Sequence, residues 1–158
     1  MTNPLHIDVP EGLPFIDFER EFDAPVEDLF RAHAEPELAR QWMGPRRYET
    51  EMEAYEFKTG GRWRYIQRSD GEEYAFNGVF HVVRPNEFAI QTFEFEGFPD
   101  VVSIETLAFE DLGEGRSRVR GHATYPSMEA RDGMAQSGME SGMNEGYERL
   151  DDLLARVS

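Results

Sequence analysis

Residues 127–158 read SMEARDGMAQSGMESGMNEGYERLDDLLARVS. Advancing about 100° per residue puts Ala135, Met139, Gly142, Met143, Gly146, Tyr147, Leu150, Leu153, Leu154 and Val157 on one face. The periodicity predicts one long amphipathic helix, about twenty-five residues in length. Its apolar face changes character along its course: the first half is Gly and Met, the second half Leu. A glycine costs a helix about 1 kcal/mol relative to alanine, so Gly133, Gly138, Gly142 and Gly146 need a reason. Two are available: close backbone approach, or space left for something else.

Upstream, the chain reads as antiparallel strands. Phe15–Phe22 alternates apolar and charged residues, the period of a strand with one wet face. Asp23 is expected to cap a first short helix, with Pro25 in its first turn and Val26, Leu29, Phe30 and His33 along it. Glu37–Trp42 reads as a second short helix, stopped by Gly44 and Pro45. Strands follow over 48–57, 62–68, 74–83, 88–95, 101–109 and 116–125, separated by turns at Gly60-Gly61, Asp70-Gly71, Pro85-Asn86, Gly97–Asp100 and Gly113–Gly115. Trp63, Tyr65 and Gln67 share one face; Arg62, Arg64 and Arg68 share the other. The order is strand, two short helices, six strands, long helix. Residues 1–14, with three prolines, read as an extended arm, and 15–158 as one domain.

Seven antiparallel strands and one long helix bury that helix inside the curved face of the sheet. A bent sheet around one helix leaves interior space, and methionine adapts to irregular apolar pockets. The expected fold is therefore α+β, with an internal apolar cavity.

Five stretches carry a family resemblance over residues 15–157. They are Asp23-Ala24-Pro25-Val26 with Leu29-Phe30; Glu35-Pro36-Glu37-Leu38 with Trp42, Gly44 and Pro45; Phe57-Lys58-Thr59-Gly60-Gly61-Arg62-Trp63; Gly78-Val79-Phe80 with Pro85; and Tyr125-Pro126-Ser127 with Ala130-Arg131-Asp132 and residues 137–142. Together they resemble the helix-grip superfamily (START/Bet v 1-like, SRPBCC), and within it the single-domain bacterial relatives of the activator of Hsp90 ATPase homologue. The resemblance implies a curved seven-stranded sheet gripping a C-terminal helix, a ligand cavity, and a chaperone of the Hsp90 type as an alternative partner. Lys58 stands where the family usually has arginine, losing the planar fork. Gln91 stands where an aromatic residue is usual, which leaves open whether it enters the cavity or faces solvent.

The expected cavity lining is Trp42, Trp63, Tyr65, Phe76, Phe80, Phe93, Met139, Gly142, Met143 and Tyr147. Candidates for chemistry are few. His6, His33, His81 and His122 lack metal-ligand spacing, and the chain has no cysteine. No metal and no cofactor is expected, and no nucleophile elbow can be drawn. His33 reads as half-buried packing, and His81 and His122 as wet-face residues. Glu105 shares parity with Leu107 and Phe109, but Val102, Ile104 and Ala108 form the more apolar set. That set is expected to face inward, leaving Glu105 in water. The other parity would make Glu105 a desolvated carboxylate, as in cyclase- or dehydratase-like helix-grip enzymes. The arginine stripe reads as a solvated face paired with carboxylates.

Composition narrows the function classes. The chain has 158 residues, 32 acidic and 16 basic, for a net charge of −16. That charge opposes nucleic acid and anionic membranes. No run reaches the ~18 apolar residues of a membrane span, and the N-terminus lacks a signal-peptide pattern. A cytoplasmic protein, monomer or homodimer, is expected. The leading expected function is non-catalytic binding of a small apolar or amphipathic molecule.

Overall fold

A computed structural model describes residues 3–157. Eight strands form one antiparallel sheet: β1 (His6–Asp8), β2 (Phe15–Phe22), β3 (Glu49–Tyr55), β4 (Arg62–Ser69), β5 (Glu72–Arg84), β6 (Phe88–Phe95), β7 (Val102–Gly113) and β8 (Arg116–Thr124). Their spatial order is β1-β2-β8-β7-β6-β5-β4-β3. From β4 to β8 each strand pairs with the next in sequence, as short turns dictate. The left-handed pair Asp70 (φ 46°) and Gly71 (φ 83°) turns β4 into β5, which is the backbone a two-residue hairpin requires.

The sequence predicted seven strands; the eighth is β1, inside the proline-rich arm. His6–Asp8 pairs with Asp17–Glu19 of β2. Three residues between prolines carry too little alternation to be legible. A buried arginine holds the arm down further along. The Arg131 guanidinium donates to the carbonyls of Pro10 and Leu13, both at 2.7 Å.

β2 and β3 lie far apart in the sheet, so their connection crosses the concave face. Helices α1 (Val26–Ala34) and α2 (Pro36–Ala39) make this crossing. Asp23 does not cap α1, contrary to expectation; Pro25 occupies the cap position and Asp23 pairs with Arg116 at 3.2 Å. The second helix is shorter than 37–42, and turns carry the chain on through Trp42 to Gly44.

The C-terminal helix is also broken. α3 (Met128–Ala135) ends at its cap residue Gln136, and α4 (Met139–Val157) starts after Gly138, whose φ of +85° re-aims the chain between them and whose carbonyl accepts from the Gly142 amide. The side chain of Ser127 caps α3 by accepting from the Ala130 amide at 3.0 Å. Gly138 is thus the joint between the two helices, since only glycine takes that conformation freely. Apolar periodicity runs through the break because both segments face the same sheet. Met134, Ala135 and Met139 pack around Ile16, Ala123 and Tyr125. Leu150, Leu153 and Leu154 enter the main core with Phe22, Leu29, Phe109 and Val119.

On the convex face two arginines of the stripe pair with carboxylates as expected, and among the described residues Arg62 offers only its backbone amide, to Glu56. Arg64 binds Glu96 and Glu53; Arg68 binds Glu51 and Glu73.

Candidate functional site

The Gly/Met half of α4 closes only partly on the sheet, through Met139. Between it and the concave face lies a cavity of about 680 Å³. Period two sets its walls. Inward residues of β4 supply Trp63, Tyr65 and Gln67, β5 supplies Phe76 and Phe80, β6 supplies Gln91 and Phe93, and β7 supplies Glu105 and Leu107. Four of these rings form a continuous panel: Trp63–Tyr65 at 5.2 Å, Tyr65–Phe76 at 5.3 Å, Phe76–Phe93 at 5.5 Å and Trp63–Phe93 at 5.8 Å. Gly78 on β5 makes room for it, because a Cβ there would sit 2.6 Å from the Trp63 indole nitrogen.

Trp42 stacks on Tyr147 at 5.7 Å and donates its indole N–H to the Ala32 carbonyl at 3.0 Å. These two rings shut the inner end of the space. Pro45, Arg47, Ser137, Gly138 and Ser141 surround its opposite, solvent-facing rim. All ten residues expected to line a cavity do line this one; whether they contact a ligand is a separate matter, taken up below. Tyr55 and Phe57 also line it and were not foreseen. A bulge between Met52 and Ala54 reverses the parity of β3, which alternation alone does not reveal.

The helix glycines divide between the two reasons offered for them. A Cβ on Gly146 would lie 3.1 Å from the Trp42 carbonyl oxygen, so this glycine serves close backbone approach. A Cβ on Gly142 would meet only Pro45, at an ordinary 3.5 Å, and this glycine borders the cavity.

Glu105 is the main correction. The structure places Val102 and Ile104 on the outer face, 40% and 53% exposed, and turns Glu105 into the cavity with Leu107, while Phe109 on the same side enters the main core. Gln91, its cross-strand neighbour, donates to Glu105 Oε1 at 3.1 Å. The inward reading of Gln91 therefore holds as well. Glu105 is half-buried by surface area, its exposed part lining the cavity, and protein atoms crowd it from the sheet side. Burial pushes its carboxyl up to about 7; the Gln91 hydrogen bond pulls weakly the other way. Burial likewise raises the hydroxyls of Tyr65 and Tyr147, with Glu105 adding to the effect.

His33 lies at the inner end. It is fully buried rather than half-buried, donates from Nδ1 to the Leu29 carbonyl at 2.8 Å, and packs between Trp42 and Phe109. Burial lowers it to about 4, so it stays neutral. His81 and His122 are exposed, as read from the sequence. Among the described residues no three His, Cys, Asp or Glu side chains cluster as metal ligands would.

A pH signature follows. Below pH 4.5 Glu105 is protonated in folded and unfolded chains alike. Between pH 4.5 and 7 the folded chain holds the proton that the unfolded chain releases, so stability falls as pH rises through that window. Above it the buried charge costs about 3 kcal/mol. Glu105→Gln is expected to raise the melting temperature at pH 8 and leave it nearly unchanged at pH 4.5. Equal shifts at both pH values would show that the carboxyl is not desolvated. His33 acts in the opposite sense: its contribution is present above pH 6.5 and is lost as pH falls towards 4.

A bent antiparallel sheet, two short crossing helices and a gripping C-terminal helix around a cavity define a helix-grip protein. Residues 23–155 match the family described as Activator of Hsp90 ATPase homolog 1-like protein, and the chain belongs to that family. Its fold is similar to that of an Arthrobacter aurescens protein solved by NMR, at 27% identity and a TM-score of 0.86, covering 97% of this chain and 92% of that one. A Rhodobacter sphaeroides protein gives 26% identity and a TM-score of 0.87, covering 98% and 100%. The AHSA1 protein of Silicibacter pomeroyi, at 20% identity and a TM-score of 0.75 over 91% and 99%, shares the fold. Among curated proteins none matches this chain. Among the described residues no helix is long and apolar enough to cross a membrane.

Proposed function

We propose that this protein binds a small apolar or amphipathic molecule in its internal cavity and releases it unchanged, in the cytoplasm. The observation that carries the reading is the cavity of about 680 Å³ behind a panel of four aromatic rings. Cavities of several hundred Å³, mostly apolar with a few polar groups, are the usual form of a small-molecule site. The Gly/Met half of α4 supports it, since residues that give up helix stability and packing there leave the space open. Native mass spectrometry of the gently purified protein, with and without added apolar dye, tests the reading. A retained small molecule or a 1:1 dye adduct is the expected result. A bare chain that takes up no dye would contradict it.

Glu105 favours a second reading, an enzyme acting on the bound molecule. A carboxyl titrating near 7 is matched to general acid or base work at neutral pH. Turnover of a captured ligand that Glu105→Gln abolishes would establish it. The family's name raises docking on an Hsp90-type chaperone as an alternative. Saturable binding to a purified chaperone, by a protein that takes no small molecule, would put that reading first.

A further inference from the structure

The Glu105 carboxylate has no counter-ion. Gln91 satisfies Oε1, and among the described residues no other protein group donates to this side chain. Three basic side chains touch the cavity, and each is engaged elsewhere. Arg47 lies at the rim with its guanidinium over the Tyr48 ring at 4.9 Å. The His33 imidazole is committed to the Leu29 carbonyl. His122 turns its ring to the convex face and meets Asp17 at 2.5 Å. The interior thus presents a carboxylate without a counter-ion beside a panel of π faces; the other lining carboxylate, Glu145, accepts from the Arg46 amide at 3.1 Å, and the unpartnered Trp63 indole N–H and the tyrosine hydroxyls are neutral.

That combination discriminates among ligands. An anion would meet a like charge in a low-dielectric space. A purely apolar molecule would leave Oε2 of the carboxylate without a partner. A cation with an apolar body satisfies both parts of the site, because π faces attract cations as well as apolar surface. We infer that the cavity selects a small lipophilic amine, its ammonium donating to Glu105 and its apolar body lying among Trp63, Phe76 and Phe93. The inference rests on the cavity being a binding site. The net charge of −16 assists by drawing cations toward the protein. Burial raises the proton affinity of Glu105 in the free protein, and a bound ammonium would lower it again.

Three fluorescent probes of matched shape test this at pH 8: 1-naphthylmethylamine, 1-naphthalenemethanol and 1-naphthoate. Wild type is expected to bind the amine at least tenfold more tightly than the alcohol, and the acid most weakly. In Glu105→Gln the amine's advantage disappears while the alcohol still binds, which also reports an intact cavity. If the variant fails to fold, the amine-to-alcohol ratio in wild type decides. An alcohol that binds wild type as well as the amine does overturns the amine inference and leaves the cavity reading standing. So does an amine advantage that survives in Glu105→Gln, which would assign it to the overall field. Failure of all three probes to bind overturns the cavity reading and this inference with it.

Discussion

Asp151→Ala is expected to destabilise the protein by about 3 kcal/mol, the low end of the range for removing one partner of a buried ion pair, because the Arg20 side chain is wholly buried while Asp151 keeps 26% of its side chain exposed. Arg20 on β2 is 1% exposed, and its guanidinium is bidentate to Asp151 of α4, at 2.6 and 2.7 Å. It also lies over the Phe22 ring at 4.7 Å. Without Asp151 the guanidinium keeps one backbone acceptor, the Glu21 carbonyl at 3.1 Å, and its Nε is already unpartnered. The pair itself need not add net stability, because two charges leave water to form it. The double variant Arg20→Met/Asp151→Leu should therefore recover most of the loss. Urea denaturation of the three variants measures this. A loss under about 1 kcal/mol in Asp151→Ala, the scale of a surface pair, would show that solvent reaches Arg20.

The second large effect lies one residue away. Leu150 is fully buried and Leu154 nearly so, both in the main core between α4, α1 and the sheet. Truncating either to alanine should cost about 2–5 kcal/mol, a fall in melting temperature on the order of 10 °C for a chain of this size. Glu148→Ala, on the same helix, should change it little. Equal effects from all three would mean that the sheet does not grip the helix.

Much of this was legible because period two is a strong signal where one face is wet. Phe15–Phe22 and Phe88–Phe95 were read at the boundaries the structure shows, and the inward side of β4 was read residue by residue. Parity failed at β7 for a physical reason. Its outer face is itself apolar, carrying Val102 and Ile104, so hydrophobicity alone picked the wrong side for Glu105. The decisive fact is cross-strand, Gln91 opposite Glu105, and register is not visible in one strand. Arg20 shows the same limit. Alternation places it with Ile16, Phe18 and Phe22, but its partner Asp151 lies 131 residues away. The break at Gly138 was visible as an unexplained glycine, and only the φ of +85° says what it does.

If α4 and the sheet hold open a space that a small molecule can occupy, Gly142→Phe should fill it. Glycine at 142 borders the cavity, and a Cβ there meets nothing closer than 3.5 Å. A phenylalanine can fill the void, and helix propensity improves by a few tenths of a kcal/mol. Gly146→Ala is the contrast, because its Cβ would press on the Trp42 carbonyl at 3.1 Å and should lower stability. The measurement is a fluorescence titration with an apolar probe dye, run beside a thermal melt, on the parent and Gly142→Phe. Saturable one-to-one binding by the parent is expected, and at least tenfold weaker binding by a variant that melts no lower. A parent that binds no dye, with a variant that loses several kcal/mol of stability, would contradict it.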